Sequence, residues 1–187
     1  LLMHSLEDKA YAYQLEGDLL GAFQDERAFE KYEYAAQLYV SNHRWKEAAA
    51  LYQELACLGP DTDRYIKQLL QVCKKYKTGL NYYIKLTEVA QFCLTKNKVS
   101  SLLLILDEFP HQCEQEGLVR SFCHLCLVLM PHKNVPAEIK EKYVDKAVEY
   151  LSAFTASPLL MQFLSSLEQS ERQWYNRAHD MIHRHQS

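Results

Sequence analysis

The chain has 187 residues, 48% of them hydrophobic, with only five Gly and five Pro and a formal net charge of −3. That length suits one domain with a sizeable core, and so few turn formers exclude an all-β fold. The near-neutral charge excludes a global field that would gather nucleic acid or anionic membrane.

Thirteen tyrosines are present, a residue whose broad apolar body and polar tip suit helix seams and contact surfaces. The six cysteines, Cys57, Cys73, Cys93, Cys113, Cys123 and Cys126, are scattered through apolar, helix-like text. They read as free thiols in a reducing compartment, which places the protein inside the cell. Leu1-Leu2-Met3 runs straight into Glu7, Asp8 and Lys9, with no signal-peptide pattern. The longest apolar runs, Leu102 to Leu106 and Leu125 to Met130, are far too short to span a bilayer. The text opens mid-pattern, so the chain is expected to be a piece of a longer protein.

Ser5 with Asp8 predicts a helix start, and the helix carries Leu6, Ala10 and Tyr13 to about Glu16. Gly17-Asp18 predicts a turn, after which Leu19, Leu20, Ala22 and Phe23 open a second short helix. Then comes the strongest pattern in the chain. A helix from about Ala28 to Ser41 sets Tyr32, Ala35, Ala36 and Tyr39 on one face. Asn42-His43 breaks it. A second helix, about Arg44 to Leu58, carries Trp45, Ala48, Ala49, Tyr52 and Leu55 at the same kind of spacing. Paired alanines let two backbones approach, and the aromatics fill the gaps between turns. Gly59 is a natural residue just past a helix end, and Pro60 cannot continue the helix.

Residues 29–60 resemble a tetratricopeptide repeat over 32 positions without a gap. Tyr32 takes the early aromatic position, Ala35 and Ala36 the Leu–Gly pair, and Tyr39 the next aromatic. His43 replaces the inter-helix Gly, and Trp45 matches the aromatic after the turn. Ala48 takes the small residue of the second helix, Tyr52 its aromatic and Pro60 the closing proline. Leu55 stands where the family usually has Ala. Ala10, Tyr13, Gly17, Asp18 and Ala22 echo the same pattern, but Gly17 precedes His43 by 26 residues, short of the family's 34-residue period. The preceding repeat is therefore expected to have a truncated second helix.

Beyond Pro60 the repeat degenerates while helices continue. Asp61-Thr62-Asp63 predicts a cap for a helix to about Lys77, with Tyr65, Leu69, Val72, Cys73 and Tyr76 inward. Thr78-Gly79 separates it from a pair spanning about Leu80 to Thr95 and Val99 to Phe109. Val89, Ala90 and Val99 can be laid on the repeat. Leu118 to Met130 predicts a very apolar helix central to the core. Pro136 opens a helix to about Ala153, with Ile139, Tyr143, Ala147, Val148 and Leu151 as its stripe. Ser157-Pro158 opens another, with Leu160, Phe163, Leu164 and Leu167 inward. A last helix, about Ser170 to His183, carries Trp174, Ala178, Met181 and Ile182. The expectation is an all-α fold of about ten helices, a single domain over residues 1–187. Its architecture would be a right-handed α-solenoid of antiparallel tetratricopeptide-like pairs.

Candidate chemistry is sparse. Cys123-x-x-Cys126 with Cys113, His111, His124 and His132 has zinc-ligand residue types. The Cys-x-x-Cys lies inside an unbroken apolar helix with no second such pair, which favours buried thiols and no cofactor. His179 and His183 are spaced i, i+4, followed by His185, but the metalloprotease glutamate is missing between them. No phosphate loop, nucleophile elbow or paired carboxylate is present, so no enzyme is expected.

Family members that grip a peptide carboxylate line their inner helices with basic and amide residues. Here the corresponding positions hold Glu30, Glu33, Gln37 and Val40, which favours a basic or apolar ligand. The leading expectation is a non-catalytic scaffold that binds a protein or peptide through Glu30, Glu33 and Gln37. Trp174 and Met181 would either cap the solenoid or pair with a second copy. The alternative is a nucleic-acid-binding face at Lys67, Lys74, Lys75 and Lys77, interleaved with Tyr65 and Tyr76.

Overall fold

A computed structural model describes residues 8–75, 80–108, 116–154 and 157–186, leaving aside the side chains of 80–83, 185 and 186. Among the described residues the protein is all helical, with ten helices and no strand. They are α1 (Lys9–Ala22), α2 (Arg27–Ser41), α3 (Trp45–Leu58), α4 (Thr62–Lys75), α5 (Leu80–Thr95), α6 (Val99–Glu108), α7 (Glu116–Leu129), α8 (Ala137–Ser152), α9 (Leu159–Ser170) and α10 (Arg172–Gln186). No described helix is long and apolar enough to cross a membrane. Two compact units form, Leu1–Phe92 and Cys93–Ser187.

In the first unit each helix packs on the next, α1 on α2, α2 on α3 and α3 on α4. α2 buries Ala28, Tyr32, Ala35, Ala36 and Tyr39, the expected face plus one residue. α3 buries a wider arc, adding Leu51 and Ala56 to Ala48, Ala49, Tyr52 and Leu55, because it is covered from two sides. Trp45 is only half buried. The alanines at 35, 36, 48 and 49 have no exposed surface, as small residues at closely packed helix faces do.

The predicted turn at Gly17-Asp18 does not exist. α1 runs unbroken through both residues, so Leu19, Leu20 and Ala22 continue the same helix, with Phe23 capping it. Gly17 serves close approach instead: a Cβ placed there would lie 2.7 Å from two carbon atoms of the Tyr32 ring. The ring rests on bare backbone, and its hydroxyl donates to Asp18 Oδ1 at 2.9 Å. Among the described residues, the stretch before α2 is therefore one helix and not a truncated pair. Ser5 lies outside the described residues. Asp8 is itself the N-cap of α1, accepting from the Tyr11 amide and pairing with Arg44 beyond α2.

Three helix ends share one geometry. Gln24, His43 and Asn97 have φ of 58°, 58° and 56°. In each case the following amide reaches back to the carbonyl five residues earlier: Asp25 to Leu20, Arg44 to Tyr39 and Lys98 to Cys93. These are left-handed helix caps made without glycine. Gly59, by contrast, is not in the left-handed region expected of it. Its backbone is extended, and a Cβ would meet the Leu55 carbonyl at 2.6 Å and the Tyr65 ring at 2.8 Å. Asp61 then caps α4 by accepting from the Arg64 amide.

In the second unit α8 packs against α7, α9 and α10, and α7 also meets α9. α7 buries Leu118, Val119, Phe122, Cys123, Leu125, Cys126 and Leu129. α8 buries Tyr143, Val144, Ala147, Val148 and Leu151, while Ile139 is half exposed. On α9 Phe163, Leu164 and Leu167 are buried as expected, but the first inward residue is Leu159, one turn before Phe163, and Leu160 is only half buried. Asp107 ties α6 to α8 through Lys142 Nζ at 2.7 Å and the Tyr143 hydroxyl at 3.0 Å. Arg177 ties α10 to α8 through both Asp145 oxygens, at 2.6 and 2.7 Å, and through Glu141.

Two glycines on α1 should respond oppositely to alanine. Gly17→Ala forces the Tyr32 ring aside and is expected to cost about 1–3 kcal/mol. Gly21→Ala meets nothing closer than 3.5 Å, and should gain up to about 1 kcal/mol from helix propensity. Urea denaturation of the two variants checks the signs.

Candidate functional site

The continuity of α1 creates a feature that a turn would have abolished. Its last turn, the start of α2 and the end of α3 enclose a groove of about 660 Å³. Ala22, Ala28, Phe29 and Leu58 give it apolar walls. Four carboxylates stand around it, Asp18, Asp25, Glu26 and Glu54, and no Lys, Arg or His lines it. Leu58 keeps 63% of its surface exposed, an open apolar shelf at the end of α3.

The carboxylates differ in state. Asp25 is satisfied within the turn by the Arg27 guanidinium and backbone amide, which hold its carboxyl down at about 2. Asp18 accepts from the Tyr32 hydroxyl. Glu54 makes no hydrogen bond or ion pair among the described residues. Its carboxylate has access to solvent but is crowded by groove walls. Desolvation by those walls, and then the charge of Asp18, raise its pKa. An unneutralised, partly desolvated carboxylate beside a second one is an arrangement that a bound cation would relieve.

A second feature lies on the outer side of α1. Tyr11, Leu15, Leu19 and Phe23 recur every fourth residue and are 42%, 42%, 63% and 79% exposed. This is a helical apolar stripe facing solvent. It ends at Phe23, flanked in sequence by Ala22 and Gln24, both of which line the groove.

The residues singled out from sequence fall elsewhere. Glu30 and Gln37 are exposed on α2, with Glu30 accepting from Tyr34 at 3.3 Å. Glu33, between them, is engaged internally: Arg64 Nη2 lies at 2.7 Å and the Tyr65 hydroxyl at 3.2 Å. Trp174 is buried, 6% exposed, and its indole N–H meets no acceptor among the described residues. Met181 is half buried. Lys67, Lys74 and Lys75 are exposed on α4, while Tyr65 turns its ring into the core; Lys77 and Tyr76 lie outside the described residues.

Cys123 and Cys126 are buried in α7, where the Cys126 thiol donates to the Tyr143 carbonyl at 3.7 Å. His124 points to solvent and His132 is half exposed. His111 and Cys113 lie outside the described residues, and so does the His185 side chain. Among the described residues no three His, Cys, Asp or Glu side chains gather as a metal-binding group. Cys57, Cys73 and Cys93 are likewise not in disulfides. Burial pushes the Cys73 thiol up to about 12, so it stays protonated and unreactive at neutral pH.

Sequence reasoning missed the groove because its residues come from three helices. The stripe on α1 was legible in principle, since residues 11, 15, 19 and 23 keep helical spacing once no turn is placed at Gly17.

Two measurements follow. Because the Glu54 carboxyl binds its proton more tightly in the folded state, its ionisation opposes folding above its unfolded pKa, and that opposition vanishes below it. Glu54→Gln should therefore stabilise the protein at neutral pH, with the gain fading as pH falls to about 4; melts across pH test this. Glu33→Lys breaks the tie to Arg64 and Tyr65 and should cost about 1 kcal/mol. Glu30→Lys, at an exposed position without such a tie, should stay within about 0.5 kcal/mol of wild type.

The chain matches no protein-family model, no curated protein and no solved structure, so the geometry above carries the functional reading.

Proposed function

We propose that the protein is a non-catalytic protein–protein interaction module whose first unit binds a partner segment carrying basic and apolar residues. The observation that carries this reading is the groove of about 660 Å³ with apolar walls, four carboxylates and no lining cation. Glu54 and Asp18 would receive an ammonium or guanidinium group, and Leu58 and Phe29 the neighbouring apolar side chain. The stripe ending at Phe23 offers a continuation for an amphipathic partner helix.

A tetratricopeptide-like organisation fits the same role. It is supported by the fully buried alanine pairs of α2 and α3, by the left-handed residue His43 at the inter-helix position, and by the repeated cap at Gln24 and Asn97. Packing of α7 with α9 and of α8 with α10 resembles that between alternate helices of stacked hairpins. Glu30 and Gln37 are exposed and can extend the contact surface, whereas Glu33 acts in the fold.

The test uses an array of synthetic peptides, in which Lys or Arg is placed beside Leu or Phe, with acidic counterparts as controls. Wild type should retain the basic–apolar peptides in a salt-sensitive manner. Glu54→Lys should lose them while remaining folded, and Glu30→Lys should lose little. Equal retention of acidic and basic peptides, or unchanged binding by Glu54→Lys, would refute the reading.

A further inference from the structure

The C-terminal helix holds a second arrangement, independent of the groove. Tyr175, His179 and His183 follow one another at i, i+4 and i+8 on one face of α10. The Nε2 atoms of His179 and His183 face each other at 3.1 Å, with ring centroids 4.3 Å apart and planes at 67°. The Tyr175 ring lies against His179, at 5.7 Å between centroids, and limits the freedom of that imidazole. His179 is half buried and His183 exposed, so the pair opens to solvent.

Two neutral imidazoles in this position must share one proton between the facing nitrogens. The same two lone pairs have the bite of a chelate. With metal–nitrogen bonds of about 2.0–2.1 Å, ligands at a tetrahedral angle stand about 3.3–3.4 Å apart, and ligands at a right angle about 2.9 Å. The observed separation lies between these limits.

We propose that His179 and His183 chelate a divalent transition ion of the zinc or nickel class, with water completing its coordination. Imidazole nitrogens suit these ions, whereas magnesium and calcium require oxygen donors. On binding, the ring that carries its proton on Nε2 changes tautomer to carry it on Nδ1, by exchange through water with no net loss of a proton, so both Nε2 lone pairs face the ion. The ion then cross-links consecutive turns of α10 and stabilises the folded state by mass action.

The experiment is a calorimetric titration of the whole chain with nickel chloride and with zinc chloride, paired with native mass spectrometry. Wild type should take up an ion and melt at a higher temperature in its presence. His183→Ala is the decisive variant, because it leaves the buried side of α10, Trp174 and Ala178, untouched. It should lower ion affinity by about tenfold or more, since removing one arm of a chelate forfeits the effective concentration of the other. His179→Ala should do the same, and His124→Ala, at an exposed position on α7, should bind like wild type. Absence of ion uptake by wild type overturns the proposal. Undiminished uptake by His183→Ala, or equal loss in His124→Ala, does so as well.

Discussion

The close approach of Tyr32 to the backbone of α1 sets the geometry of the first unit. The ring can lie there only because residue 17 has no side chain, and a Cβ would stand 2.7 Å from the ring. That seating brings the phenol hydroxyl to Asp18, which aims one carboxylate of the groove. It also places the last turn of α1 beside the first turn of α2, and these two turns form two of the groove's three walls. Packing and site are thus fixed together. A glycine that costs helix propensity in isolation is retained because the ring burial it permits outweighs that cost.

Charges elsewhere in the molecule are largely spent on register. Glu33 holds Arg64 and Tyr65 across from α2 to α4. Asp107 spans α6 and α8, and Arg177 spans α10 and α8. Each such tie joins partly exposed groups and contributes little energy, but it selects one alignment of helices whose apolar faces would slide. Against this pattern, Glu54 makes no hydrogen bond or ion pair among the described residues and is crowded by its surroundings.

The hairpin of α2 and α3 was legible because local and tertiary signals agree there: the periodic face, the paired alanines and the breaker at Asn42-His43 all mark the same boundaries. Gly17 was misread because glycine has two uses, turning a chain and admitting a neighbour, and only the position of Tyr32 in space decides between them. The first inward residue of α9 was missed for a related reason. Leu159 and Leu160 are equally apolar, and the helix start after Pro158 determines which faces the core. The groove escaped because it joins positions 18 to 58, a separation that no local pattern encodes. Glu33 looked like a surface residue because its partner Arg64 lies 31 positions away.

The three glycine-free caps at Gln24, His43 and Asn97 restrict how this chain can diverge. A left-handed backbone tolerates Gly, Asn, Asp or His but strongly disfavours Val, Ile and Thr, whose branched Cβ crowds the adjoining peptide. Substitution at these positions is thus filtered by shape and hardly at all by polarity. Aromatic and aliphatic residues in the seams can drift in compensating pairs, whereas the turn positions have no partner that could compensate. In distant descendants of this chain, the absence of β-branched residues at those three points would persist as a trace of kinship after the apolar pattern had blurred.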